Sequence, residues 1–202
     1  MTYDYLRDPD AIYRRSFALI RKAADLSPLP RELRSLALRL IHTCGDVSII
    51  DHLIASPGAA ARGRTALADG AALLVDAAMV AAGITTRRAL CLLNDKRVPA
   101  IAQRLETTRS AAAVELWRPH LGGAVVAIGN APTALFHLLE MIGGGGPRPA
   151  LILGFPVGFV GAAEAKKALA ENPWRIPFIA LQGRRGGSAM AAAAVNALIA
   201  RR

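Results

Sequence analysis

Three stretches of this sequence combine small residues with sharp-turn formers: Gly129-Asn130-Ala131-Pro132-Thr133, Gly154-Phe155-Pro156-Val157-Gly158-Phe159-Val160-Gly161, and Gly183-Arg184-Arg185-Gly186-Gly187-Ser188. Each follows a short apolar run and precedes a stretch of helical spacing. The first N–H groups of a helix have no intrahelical partner and carry partial positive charge, so such loops suit phosphate, sulfate or carboxylate. Asn130 reads as an N-cap with Pro132 just inside the helix, Thr133 adds a hydroxyl, and Gly158 and Gly187 let the backbone approach a ligand closely. One such loop serves folding alone, whereas three at one edge point to a site. Neither Gly-x-Gly-x-x-Gly after the first strand nor Gly-x-x-x-x-Gly-Lys-Ser/Thr occurs, so dinucleotide and P-loop chemistry have no support.

Three side chains elsewhere could do chemistry. Arg109 stands where a helix begins and could hold a carboxylate through two parallel N–H bonds. Ser16 interrupts an apolar stripe, so its hydroxyl either bonds back to the Ile12 carbonyl or points at a ligand. His42 lies in the last turn before Gly45, where the helix dipole favours imidazolium, and about 180° from the apolar stripe that starts at Leu33. That position is unusual for a core residue. His52, His120 and His137 read as ordinary structural or surface histidines.

Helices and strands must place these groups. Ile12, Ser16, Leu19, Ile20 and Ala23 share one helical face, and Leu33, Leu36, Ala37, Leu40 and Cys44 share another, with Ser27-Pro28-Leu29-Pro30 breaking between them. The reading is an N-terminal helical subdomain over residues 1–70 and an α/β domain over 71–202. In the second part, apolar runs at 71–75, 89–93, 124–128, 150–153 and 178–181 lack polar alternation, as parallel strands covered on both faces do. Helices are predicted over 109–118, 132–142, 162–170 and 187–200, giving a three-layer α/β/α fold with a mainly parallel sheet. All three loops then fall at the carboxyl ends of strands, the edge at which open α/β sheets bind ligands.

The formal net charge of +10 indicates anionic partners. The basic pairs Arg14-Arg15, Arg87-Arg88, Arg184-Arg185 and Arg201-Arg202 have almost no aromatics between them, which argues against single-stranded nucleic acid. No apolar run reaches the roughly 20 residues that span a bilayer, and a cytoplasmic protein without membrane partners is expected. With only Cys44 and Cys91, neither a disulfide framework nor a cysteine metal site is expected. On these residues alone, a non-catalytic α/β binding protein for a polyanionic metabolite fits as well as an enzyme.

The segment Ile128-Gly129-Asn130-Ala131-Pro132-Thr133-Ala134-Leu135 resembles the precorrin-8X methylmutase family, also called precorrin isomerases. Pro156 to Glu164, Gly186 to Met190, Thr108 to Ala113, Ile41 to Gly45, Tyr3-Asp4-Tyr5 and Tyr13-x-Arg15-Ser16-Phe17 agree with it, so the resemblance runs along nearly the whole chain. The chain departs from the family pattern at Val75-Asp76, where Cys-Asp is usual, and at Glu164-Ala165-Lys166, where Glu-Ser-Lys is usual. The resemblance implies a flavodoxin-like sheet, a homodimer with sites at the subunit interface, and no cofactor. It also implies a methyl shift from C-11 to C-12 of a corrin ring, on precorrin-8X or its cobalt-bearing equivalent, giving hydrogenobyrinate or its cobalt form. His42 is then the general acid of an acid-assisted sigmatropic shift, and Ser16, Thr85, Arg109, Asn130, Thr133, Gly158 and Gly187 bind the substrate. Its many acetate and propionate carboxylates match the positive charge.

Overall fold

A computed structural model describes residues 2–200, so the Arg201-Arg202 pair lies outside the described residues. Two antiparallel helices open the chain, α1 (Pro9–Ala23) and α2 (Arg31–Cys44), and a 3-10 turn (Val47–His52) leads into strand β1 (Leu53–Ala55). Helix α3 (Ala59–Ala68) follows, then β2 (Leu73–Val75), α4 (Ala78–Gly83), β3 (Leu90–Cys91), α5 (Val98–Arg104), α6 (Arg109–Glu115) and α7 (Arg118–Leu121). The remainder alternates regularly: β4 (Val125–Ile128), α8 (Pro132–Gly143), β5 (Leu151–Gly154), α9 (Ala162–Ala170), β6 (Phe178–Leu181) and α10 (Ser188–Ile199).

The six strands form one sheet in the order β1-β6-β5-β4-β2-β3, parallel except for β1, which pairs antiparallel with β6. Counting the five parallel strands along the chain, their order is 2-1-3-4-5, the flavodoxin-like arrangement that the resemblance implied. Its topological switch point lies between β2 and β4. The apolar runs are continuous because both faces are covered: Leu73, Val75, Val125, Ala127, Leu151 and Leu153 join the core under α2, α3 and α10. Leu74, Val126, Ile128, Ile152 and Ala180 join the core under α6, α8 and α9.

All five predicted strands are present. The division at residue 70, however, does not separate a helical unit from the sheet, because β1 belongs to the sheet and α3 packs on it. Three residues at a sheet edge carry too little periodicity to be read locally, and their partners, Ile179 to Leu181, lie far along the chain.

Candidate active site

The geometry of the first two helices brings Ser16 and His42 together. Helix α1 buries Phe17 against α2, and that same packing sets Ser16 Oγ 2.8 Å from His42 Nδ1. The imidazole stacks on Phe17 at a centroid distance of 4.9 Å and meets the edge of Tyr13 at 6.0 Å. Of the two alternatives for Ser16, the bond back to Ile12 is therefore replaced by one to His42. Nε2 is the nitrogen outside this bond, and it carries the proton to be lent when the Ser16 hydroxyl donates to Nδ1 or when the ring is imidazolium. A hollow of about 240 Å³ opens beside the ring, lined by Ser16, Leu19, Ile20, Ala23 and Val47.

The loop after β4 behaves differently from expectation. Asn130 is not the N-cap of α8; Ala131 takes that position with extended backbone and no side-chain bond, and Pro132 opens the helix as expected. The capping is done from outside by Asp76, at the end of β2, whose carboxylate accepts N–H bonds from Gly129 at 2.9 Å, Asn130 at 2.9 Å and Ala131 at 2.8 Å. The anion for which this loop is shaped is thus supplied by the protein itself, at the switch point. Burial pushes the Asp76 carboxyl above the ordinary carboxylate range, and the three amide donors pull against that. An acid directly after an apolar strand was the available signal.

The other two loops are also tied internally. Gly158 N–H donates to the Arg184 carbonyl at 3.2 Å, and Gly187 N–H to the Phe155 carbonyl at 2.8 Å. Both glycines hold positive φ, 139° and 126°, which explains their residue type by backbone shape rather than by approach to a ligand. Arg185 carries the third loop across to the end of α2, donating to Asp46 and, at 2.9 Å, to Ser48 Oγ. Phe159 and Val160, at the tip of the second loop, are exposed, with the Arg184 guanidinium 5.1 Å from the Phe159 ring.

Thr133 and Arg109 mark a neighbouring corner. Thr108 caps α6, accepting from the Ala111 N–H, and its hydroxyl lies 2.8 Å from that of Thr133. The Arg109 guanidinium donates to Asn94 Oδ1 at 3.1 Å and to the Leu93 carbonyl at 3.4 Å, both neutral acceptors, and among the described residues no carboxylate pairs with it. Thr85 stands apart. Its N–H donates to the Asn196 side chain, eight residues past the start of α10, roughly 12 Å along the helix from the loop edge. Within one chain, Thr85 therefore does not join the other candidates.

Lys166 was not singled out as a functional residue. It is buried on α9, and its ammonium donates to the Arg185 carbonyl at 2.7 Å. Burial lowers its pKa to about 8, below the value near 10.5 that the unfolded chain has. The unfolded chain then binds more protons between these values, so the charge penalty is fully present below pH 8 and fades as pH rises to 10.5. The unfolding free energy of the parent is expected to rise relative to Lys166→Met across that window. With allowance for solvent screening the rise is about 2 kcal/mol, and parallel urea-unfolding profiles for the two proteins would refute it.

The family model described as precorrin-8X methylmutase matches residues 11–201. The chain is 60% identical to the precorrin-8X methylmutase of Pseudomonas aeruginosa, over 98% of this chain and 99% of that one. It is 55% identical to a protein of the same name from Sinorhizobium sp, over 97% and 96%. The crystal structure of precorrin-8X methylmutase from Thermus thermophilus superposes with a TM-score of 0.85 at 39% identity, covering 94% of each chain.

Proposed function

Because this chain belongs to the precorrin-8X methylmutase family and is an isomerase of cobalamin biosynthesis, we propose that it moves the methyl group from C-11 to C-12 of the corrin ring with His42 as proton donor. The observation that carries this assignment of His42 is the Ser16–His42 hydrogen bond. It orients the imidazole and leaves Nε2 free of the Ser16 bond, while Phe17 holds the ring plane. A proton lent by Nε2 to the conjugated ring makes C-12 more electron-poor, so the migrating methyl breaks its bond to C-11 and forms one to C-12 at a lower barrier. The proton then returns to His42, and substrate and product remain isomers. The cobalt-free substrate is favoured, since the two relatives at 60% and 55% identity are named for precorrin-8X. Incubation with precorrin-8X should develop the absorption spectrum of hydrogenobyrinate, and an unchanged spectrum would refute the activity.

Substrate binding draws on Arg109, Thr133 and the exposed Asn130 at one corner, and on Ser16 at the other. Gly158 and Gly187 shape the loops between them. Arg109→Ala is expected to weaken hydrogenobyrinate binding about tenfold, the usual effect of losing one charge-assisted bond. An unaltered titration would remove Arg109 from the site.

A homodimer with sites shared between chains completes the reading, and it offers a place for Thr85. Helix α1 leaves Ile12 and Leu19 exposed, and Tyr3, Tyr5 and Leu6 ahead of it are exposed too, which is apolar surface suited to a partner copy. Mixing His42→Ala with Arg109→Ala under subunit exchange should restore activity if the two residues enter one site from different chains.

A further inference from the structure

The amides of Gly129, Asn130 and Ala131 are bonded to Asp76, that of Gly158 to Arg184 and that of Gly187 to Phe155, so side-chain cations are the groups to search for further anion recognition. One group of cations stands next to His42 with little to neutralise it. Between α1 and α2, on the Tyr13 and Phe17 side of the seam, lies an open hollow of about 480 Å³ rimmed by Arg14, Arg21 and Arg39. Its floor is aromatic: Tyr13 and Phe17 pack at a centroid distance of 4.5 Å, and the Arg21 guanidinium sits 5.8 Å from the Phe17 ring. Among the described residues, neither Arg21 nor Arg39 has a carboxylate within ion-pair distance. Arg14 reaches only Asp8, at 3.8 Å, with both side chains largely in solvent. A pair of that kind contributes little.

The two rings of the floor are the same rings that hold the His42 imidazole. A ligand lying on them is therefore in contact with the groups that orient the acid. Three guanidiniums around an apolar floor select a ligand with an apolar body and several carboxylates, and arginine holds carboxylates better than lysine because its fork matches their geometry. We infer that this hollow is a subsite for the acetate and propionate arms of the corrin ring on its His42 side. The inference rests on the methylmutase reading and extends it. The substrate is gripped at α1 and α2 as well as at the sheet edge, and the grip is made by charge rather than by loop amides.

The test is titration of hydrogenobyrinate into the parent and into the Arg21→Gln/Arg39→Gln double variant, each also assayed with precorrin-8X. Glutamine keeps side-chain length and removes charge, and Arg21 is exposed and Arg39 half-buried, so both proteins should fold alike. Affinity for hydrogenobyrinate is expected to fall about tenfold per arginine, with KM rising in proportion and kcat retained. A fully amidated corrinoid, lacking the carboxylates, should bind parent and variant equally. If the parent binds hydrogenobyrinate and the variant matches it, the subsite is refuted while the methylmutase reading stands. If kcat falls instead of affinity, the arginines act on His42 and not on carboxylates, which also overturns the inference. A parent that binds no corrinoid removes the underlying reading, and the subsite with it.

Discussion

His42→Ala is expected to yield a folded protein whose turnover of precorrin-8X is lower by about 10²- to 10⁴-fold, the usual contribution of a positioned general acid. The side chain is exposed at the end of α2 and its main packing contact is the stack on Phe17, so stability should fall by only about 1 kcal/mol. Loss of turnover without loss of fold separates a chemical role from a structural one. Ser16→Ala provides the graded comparison, because it leaves the imidazole in place but removes the 2.8 Å bond that fixes its orientation. Its effect should be smaller and should combine a fall in kcat, from the freed imidazole, with a rise in KM, from the hydroxyl withdrawn from the substrate. Near-normal turnover by purified, folded His42→Ala would rule out the proton donor assigned here.

The largest effect on stability is expected at Asp76. Its carboxylate is the only side-chain partner that the described residues give to the N–H groups of Gly129, Asn130 and Ala131. In Asp76→Asn the amide oxygen can still accept from one side, but the amino group then faces backbone donors and leaves them unpaired. Each buried donor without a partner costs about 1–3 kcal/mol, so the variant should lose about 3–4 kcal/mol in urea unfolding. The consequence reaches the substrate corner, because Asn130 and Thr133 are carried on the segment that Asp76 pins. A loss below about 1 kcal/mol would mean that water satisfies these amides and that Asp76 is dispensable to the loop.

Local order was largely legible in the chain. The helix over Ala162–Ala170 and the strand over Phe178–Leu181 have their predicted bounds, because spacing of alanines and unbroken apolar runs are properties of neighbouring residues. The three glycine-bearing loops were also found where expected, at the carboxyl ends of β4, β5 and β6, and the family was recognisable from their residues.

The use of those loops was not legible. Asn130 has the residue type of an N-cap, yet the group that meets its N–H comes from Asp76, 54 positions away in sequence. Ser16 could satisfy its hydroxyl within its own helix, and the choice of His42 instead follows from how α1 lies across α2. Strand β1 is defined by pairing with β6 at the other end of the chain. The five parallel strands, the longer helices, the sign of the charge and the family are set by the sequence alone. Tertiary packing decides that Asp76 fills the amides after β4 and that Arg14, Arg21 and Arg39 gather beside the rings that hold His42. Secondary structure follows from contacts a few residues apart, whereas the partner of a polar group is chosen by whichever donor or acceptor the packed elements bring within about 3 Å.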